Sequence, residues 1–124
     1  MLFDTHAHMD DHAFDSDREE LLERQLPQAG IGLLMNPGCS LESSRAASKL
    51  SARYDYIYSA VGSHPDAADE VDEAVIAQYR NLCRENPKIR AIGEIGLDYH
   101  YEDIPRDIQQ RAFRAQMELA KEWN

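Results

Sequence analysis

Two histidines lie close together near the start of the sequence, in the segment Asp4-Thr5-His6-Ala7-His8. In an extended strand, residues two positions apart point to the same side, with their Cα atoms about 7 Å apart. Two imidazoles at that spacing can bind one cation, because zinc–nitrogen bonds are about 2.0–2.1 Å long. We expect Asp4 to accept a hydrogen bond from a ring N–H and so to fix the tautomer. The alternative is a pair of exposed histidines after an edge strand.

Two further side chains that could bind a metal lie at the ends of apolar runs later in the chain: Glu94 at the end of one and His64 directly after another. Glu94 lies in Gly93-Glu94-Ile95-Gly96, where the glycines are expected to permit close backbone approach, and His64 lies in Gly62-Ser63-His64-Pro65. An unpaired carboxylate inside an apolar strand costs several kcal/mol, so Glu94 is expected to meet a cation. A salt bridge from Glu94 to an arginine is the alternative.

Four short apolar runs of the sequence are predicted to be strands. They are Met1–Thr5, Ile31–Asn36, Ile57–Gly62 and Arg90–Ile95. Because the runs are nearly continuous, we expect both faces of each strand to be covered. A stretch with helical periodicity follows each run.

Local features predict where these helices begin and end. For the first helix, Ser16-x-x-Glu19 is a capping box, Pro27 bends or stops the helix at Leu26, and Gly30 suits the position after its end. Ser40 is expected to cap the second helix and either Asp69 or Asp72 the third, whereas Pro105 fits the first turn of the fourth.

The resulting order, βαβαβαβα, predicts an α/β fold with a parallel sheet and helices outside it. Four βα units are half of a TIM (β/α)₈ barrel, and an open four-stranded sheet is the alternative. In both architectures active sites lie at the carboxyl ends of the strands. His6, His8, His64 and Glu94 are therefore expected at one rim.

Composition limits the classes of function. The 124 residues carry a net charge of −10, with 13 basic and 23 acidic side chains. General electrostatic binding of nucleic acid needs lysine and arginine, so phosphate chemistry here would require a bound cation. Mean hydropathy is −0.61, and no apolar run approaches the roughly 20 residues of a membrane span. We expect no secretory segment, no membrane partner and, from two isolated cysteines, a reducing cytoplasm.

Four segments of the sequence together resemble the TatD-type metal-dependent hydrolases, within the wider amidohydrolase-like superfamily. They are Phe3-Asp4-Thr5-His6-Ala7-His8-Met9-Asp10, Gly62-Ser63-His64-Pro65, Gly93-Glu94-Ile95-Gly96-Leu97-Asp98-Tyr99 and Gln110-x-x-Phe113-x-x-Gln116-x-x-Leu119-Ala120. The His-x-His element alone is not specific, whereas the last two segments together are. The resemblance covers the whole chain, although Ser63 stands where the family more often has an apolar residue.

The resemblance implies a TIM barrel with one or two divalent cations (Mg, Mn or Zn) and a deoxyribonuclease that hydrolyses phosphodiester bonds. It implies that His6 and His8 bind one metal, that Glu94 bridges two, and that His64 contacts substrate phosphate. The family's remaining ligands would lie beyond position 124, so residues 1–124 are expected to be the N-terminal half of a single hydrolase domain. No catalytic residue beyond the metal ligands is identified within them.

The same resemblance leaves three functions open. The first is cleavage of DNA, single-stranded or at ends, by a half-barrel that alone is weakly active or inactive and that associates with itself. The second is hydrolysis of another ester on the same metal site, such as that of a D-aminoacyl-tRNA. The third is a non-catalytic half-barrel that assembles with a partner. Tyr99 and Tyr101 are expected either to stack a base or to pack at the rim.

Overall fold

Four parallel strands form a single sheet in the computed structural model, which describes residues 1–101 and 103–123. Each strand pairs with its neighbours in chain order, β1-β2-β3-β4. The strands are β1 (Leu2–Asp4), β2 (Ile31–Pro37), β3 (Ile57–Val61) and β4 (Ile89–Ile92). All four predicted strands are present, with β4 ending three residues before the predicted Ile95. The predicted α/β order of elements is therefore observed.

Helices cover the sheet and form the core with its two central strands. The helix after β1, named α1, has three consecutive segments, and three longer helices follow the other strands. They are α1 (Arg18–Glu20, Leu21–Gln25 and Leu26–Gln28), α2 (Leu41–Arg53), α3 (Glu73–Glu85) and α4 (Arg106–Lys121). Leu34 of β2 and Ile57 of β3 pack with Leu22 of α1, and all three are fully buried. Val61 packs with Tyr79 of α3 and Leu119 of α4 in a second cluster.

The two outer strands are less buried than predicted. Leu2 and Phe3 of β1 are 61% and 51% exposed, and Arg90 and Ala91 of β4 are also exposed. The prediction that both faces of every strand are covered is therefore wrong for β1 and β4. Among the described residues each of these strands has a hydrogen-bonded neighbour on one side only, which explains the difference.

The predicted caps of the second and third helices are observed. The Ser40 side chain accepts the N–H of Ser43 at the start of α2, and the Asp72 side chain accepts the N–H of Val75 at the start of α3. Of the two alternatives for α3, Asp72 is thus correct. Pro105 occupies the N-cap of α4, one position before the predicted first turn.

Helix α1 differs from its prediction at both ends. Its N-cap is Asp17, without a side-chain cap, because a turn that bonds the Asp17 N–H to the Phe14 carbonyl precedes the helix and includes Ser16. The capping box from Ser16 is therefore wrong. Pro27 does not stop the helix at Leu26, since the helix continues to Gln28 after a wider π-helical turn. The wider turn makes room for the Pro27 ring, which in a regular α-helix would meet the Glu23 carbonyl.

Gly30 follows the end of α1, as predicted, with a φ of 91° that favours glycine. Among the described residues, no helix is both long and apolar enough to cross a membrane.

Candidate metal centre

The segments after the four strands meet at one edge of the sheet, because parallel strands all end there. His6 and His8 follow β1, and Glu94 follows β4, so the cluster joins the two outer strands of the sheet. For these strand ends to meet, the sheet must curve as it does in a barrel wall. The predicted convergence of these three side chains is observed.

The three side chains surround a common point. Their ligand atoms all lie within 4.8 Å of one another. His6 Nε2 is 3.5 Å from Glu94 Oε1, and His8 Nε2 is 3.4 Å from Glu94 Oε2. The two Nε2 atoms are 3.1 Å apart, and two nitrogens bound to one tetrahedral zinc ion would be about 3.3 Å apart. The donor set therefore fits a divalent cation in both chemistry and spacing.

The ring of His8 is held from behind by the end of β2. Its Nδ1 lies 3.1 Å from the Pro37 carbonyl oxygen, which can only accept a hydrogen bond. Nδ1 must therefore carry the proton, which leaves the lone pair of Nε2 directed at the cluster. The Pro37 carbonyl of β2 thus fixes the tautomer of His8, a role that we expected Asp4 to have.

Asp4 contacts the backbone and not a ring. Its Oδ1 accepts the N–H of His6 at 3.1 Å, a short-range bond typical of aspartate at the start of a loop. Among the described contacts of Asp4, the expected bond to an imidazole N–H is absent, because the carboxylate accepts the nearest backbone donor instead. Asp4 therefore acts on the loop that carries the histidines.

Backbone hydrogen bonds to the end of β3 and to the residue after β2 place Glu94. The N–H of Gly93 bonds to the Val61 carbonyl at 2.9 Å, and that of Glu94 bonds to the Gly38 carbonyl at 2.7 Å. The peptide between Gly93 and Glu94 is cis. Gly62 permits the close approach of β3 to this segment, since a Cβ added to Gly62 would lie 3.0 Å from the carbonyl carbon of Gly93.

The close approach predicted at Gly93 and Gly96 is therefore wrong. A Cβ on Gly93 would meet only Ala60, at 3.8 Å, and one on Gly96 would meet nothing within 4 Å. Gly96 is needed instead for its φ of 151°. The described partners of the Glu94 side chain are His6, His8 and Cys39, and the alternative of an arginine salt bridge is not observed among them.

Cys39 is a site residue that the sequence analysis missed. Its thiol donates to Glu94 Oε2 at 3.2 Å and lies 3.8 Å from His8 Nδ1. Burial, and next the hydrogen bond to the Glu94 carboxylate, raise the pKa of this thiol to about 12. The spacing of the two cysteines in the sequence does not indicate a metal site. Cys39 follows β2 as His64 follows β3, and that position was the available clue.

His64 lies at the same edge but outside the three-residue cluster. Its N–H bonds to the Cys39 carbonyl at 2.8 Å, and its Nδ1 is 2.6 Å from the Asp66 carboxylate. Asp66 is an exposed partner that leaves Nε2 as the free ring nitrogen among the described contacts. The contact from His64 to substrate phosphate stays a prediction.

A buried polar network next to His64 was also missed. The Ser63 hydroxyl lies 2.6 Å from both the Glu70 carboxylate and the Tyr79 hydroxyl. The Gln116 side chain accepts the Ser63 N–H at 2.7 Å and donates to the Ser63 carbonyl at 3.1 Å. Burial raises the pKa of Tyr79 well above its ordinary value. This network fixes the segment that leads into His64.

The two tyrosines after β4 have different surroundings. Arg106 covers the ring of Tyr99 at 4.6 Å from its centroid, and Gln110 donates to its hydroxyl. Tyr101 is 68% exposed and meets His100 edge-on. Tyr99 therefore packs at the rim, whereas base stacking by Tyr101 stays a prediction.

A family model described as TatD related DNase matches residues 3–124. The chain is 40% identical over 124 residues to the metal-dependent hydrolase YabD of Bacillus subtilis, covering 100% of this chain. It is 35% identical over 121 residues to the 3'-5' ssDNA/RNA exonuclease TatD of Erwinia billingiae, covering 98% of this chain.

Solved structures give the same result. YjjV of Escherichia coli, a TatD homologue, matches with a TM-score of 0.86 at 32% identity over 98% of this chain. A TatD family hydrolase of Entamoeba histolytica matches with a TM-score of 0.88 at 22% identity, which supports the fold alone. These neighbours are TIM-barrel proteins, so the predicted fold class, four βα units of a (β/α)₈ barrel, is confirmed.

The chain spans about half the length of the relatives it matches. It covers 48% of YabD, 46% of the Erwinia exonuclease and 47% of YjjV.

Proposed function

The chain belongs to the TatD-related DNase family, and from this membership we propose that it forms part of a metal-dependent hydrolase that cleaves phosphodiester bonds of DNA. Within it, His6, His8 and Glu94 bind one or two divalent cations. One observation carries this proposal: these three side chains come from the two outer strands of the sheet, yet their ligand atoms lie within 4.8 Å of one another.

Each residue then has a separate part in the reaction. His6 and His8 bind through Nε2, and the Pro37 carbonyl keeps the proton of His8 on Nδ1. Glu94 presents Oε1 towards His6 and Oε2 towards His8, so its carboxylate would bind the same cation as the two imidazoles. His64 contacts the substrate phosphate, and Asp4 holds the backbone of His6. The cations, when bound, supply the Lewis acidity that activates water and offsets phosphate charge.

The acidic charge of the chain requires that a phosphate substrate be held through metal. With a net charge of −10, the chain has little general attraction for phosphate, so the cations must provide it locally. Relatives such as the Erwinia protein are named 3'-5' ssDNA/RNA exonucleases. We therefore propose single strands and strand ends as the substrate, and we expect weak binding to long duplex DNA.

Residues 1–124 are, in this proposal, the N-terminal half of a single TIM-barrel hydrolase domain. The relatives it matches are about twice as long, which leaves room for a second half that completes the metal centre. Two imidazoles and one carboxylate suit zinc or manganese, whereas magnesium prefers oxygen ligands. We therefore expect Zn²⁺ and Mn²⁺ to bind these three residues more tightly than Mg²⁺.

The metal centre is tested by titrating the 124-residue chain with Mn²⁺ and Zn²⁺ in a calorimeter. The nuclease is tested by assaying cleavage of an end-labelled single-stranded oligonucleotide, with metal and with chelator, by a version of the chain extended to the full length of its relatives. Glu94→Gln removes one ligand charge at nearly constant volume. Loss of a group that only supports a ligand weakens metal binding by about 10–100-fold, so loss of a ligand should weaken it at least as much. Glu118→Gln is the matched control, because Glu118 is exposed on α4 and pairs with Lys121.

The outcomes separate the parts of the proposal. Metal binding that Glu94→Gln abolishes and Glu118→Gln leaves unchanged supports the centre, and chelator-sensitive DNA cleavage supports the nuclease. Equal metal affinity in both variants would contradict the centre. Hydrolysis of an aminoacyl-tRNA ester without cleavage of DNA would replace the nuclease with an ester hydrolase.

A further inference from the structure

The loop that carries both candidate histidine ligands has no regular secondary structure of its own. It runs from Thr5, after β1, to Asp11. On the side of the sheet, the N–H of Ala7 bonds to the Met35 carbonyl at 3.1 Å, and the N–H of Met9 bonds to Asn36 Oδ1 at 2.7 Å. These bonds hold one side of the loop against β2. They do not involve the carbonyls of Met9, Asp10 and Asp11, which accept hydrogen bonds from another element.

One arginine supplies those partners from the first turn of α1. Arg18 Nε donates to the Met9 carbonyl at 2.6 Å, and Arg18 Nη2 donates to the Asp11 carbonyl at 2.7 Å. A longer contact of 3.3 Å joins Nη2 to the Asp10 carbonyl. The same nitrogen donates to the Asp15 carboxylate at 2.7 Å, and the side chain is only 22% exposed. The guanidinium thus binds three consecutive carbonyls that begin directly after His8.

We propose that Arg18 is a positioning residue for the metal centre, which keeps the loop of His6 and His8 in its binding geometry before a cation arrives. This inference rests on the proposed function. A loop ordered in advance binds more tightly, because the cation does not have to supply the free energy of ordering it. The planar fork of arginine can bind several carbonyls at once, whereas lysine presents a single ammonium.

A comparison with Arg24 separates this role from a general role in α1. Arg24 lies two turns further along the same helix, is 64% exposed and pairs with Glu20. Glu20 is on the same helix, so this pair does not reach the loop. Removal of Arg24 changes the charge of the helix by the same amount as removal of Arg18. Arg24→Ala is therefore the matched control for Arg18→Ala.

The first measurement needs no metal. In the metal-free chain, Arg18→Ala should speed hydrogen exchange at the amides of Ala7 and Met9 at least tenfold. Amides of the sheet, such as Gly38, which bonds to the Ala60 carbonyl, should be unaffected. Arg24→Ala should change none of these rates. Unchanged rates at Ala7 and Met9 in Arg18→Ala would overturn the inference.

The second measurement is the affinity for Mn²⁺. Arg18→Ala should weaken it by about 10–100-fold, the usual effect of losing a group that supports ligands. Millimolar guanidinium, but not methylammonium, should restore much of the affinity, because it can refill the site between the three carbonyls. Restoration by a small ion is not expected from a variant that is merely less stable. A looser loop with unchanged Mn²⁺ affinity would also overturn the inference.

If Arg18→Ala does not fold, Arg18→Lys replaces it, because lysine keeps the positive charge and lacks the planar guanidinium. We again expect faster exchange at Ala7 and Met9 and a lower Mn²⁺ affinity. Normal exchange rates and normal Mn²⁺ affinity in Arg18→Lys would overturn the inference. Failure of the proposed function gives a different result: the unaltered chain would bind no Mn²⁺, whatever the exchange rates of its loop.

Discussion

His6 and His8 are only two residues apart, but their rings are fixed to different degrees. The described contacts of the His6 ring are with His8 and Glu94, inside the cluster itself, and its side chain is 53% exposed. The His8 ring is 35% exposed and has the Pro37 carbonyl as an outside partner. The His8 ring is therefore oriented without a cation, whereas the His6 ring would lose more conformational freedom when a cation binds.

This difference predicts unequal effects of the two alanine substitutions on metal affinity. His8→Ala should weaken Mn²⁺ or Zn²⁺ binding about tenfold more than His6→Ala, because it removes the ligand whose tautomer and ring plane are already set. Titration calorimetry on both variants measures the two affinities. His12→Ala is the control, since His12 is 90% exposed and pairs with Asp15. A larger loss in His6→Ala would contradict the ranking.

At the scale of elements, α4 supports the centre through buried glutamines. Gln116 is 1% exposed and holds the backbone of Ser63, next to His64, at both its N–H and its carbonyl. Gln109 is 2% exposed and holds Asp98 in the same two-sided way after β4. One helix therefore fixes the segments that follow β3 and β4.

Gln116→Leu should destabilise the chain by about 2–4 kcal/mol, since two buried backbone groups lose their partners at about 1–3 kcal/mol each and the leucine recovers part of that. Urea unfolding followed by circular dichroism measures the change. Gln110→Leu, on the exposed side of α4, should change stability by less than about 0.5 kcal/mol. Equal effects of the two substitutions would mean that the bonds to Ser63 contribute little.

The strands show how much of this fold the sequence predicts. Apolar runs located all four strands, and in the two central strands they mark the core directly, at Leu34, Ile57 and Val61. The end of β4 was placed too late because the chain leaves the ladder at Glu94, whose N–H bonds to Gly38 after β2. A bond of that kind joins residues far apart in sequence, and periodicity carries no information about it.

The candidate site likewise contains residues that the sequence predicts and residues that only the fold shows. His6, His8 and Glu94 are polar residues of metal-binding type at strand ends, so residue type and position were sufficient to predict that their side chains converge. Cys39 and Gln116 act through contacts 55 and 53 residues away along the chain, and only the fold shows them. Local capping was predictable at Ser40, where the partner is three residues on, and failed at Ser16, where a preceding turn competes.

At the scale of the whole molecule, two opposed features affect association. Leu2 and Phe3 are exposed on β1, a strand that pairs on one side only among the described residues. Such an edge is a template for another strand. The net charge of −10 opposes contact between copies, and salt screens that repulsion.

We therefore predict that the isolated 124-residue chain associates with itself, and more strongly at high salt. Sedimentation velocity at low and high ionic strength measures the mass. Phe3→Lys should reduce association, because it places a charge on the edge strand, whereas Met117→Lys on α4 should not. A monomer at every concentration and salt level would contradict this prediction.

The strand order also determines the sequence in which the site assembles. Each strand pairs with the strand made just before it, so every strand finds its partner already synthesised. At about 5–20 residues per second, a ribosome would need roughly 4–17 seconds between making His8 and making Glu94. Throughout that interval the nascent chain carries two imidazoles without their carboxylate. In the proposed centre, a cation captured at that stage would have only nitrogen ligands from this chain, and the arrival of β4 would add the carboxylate.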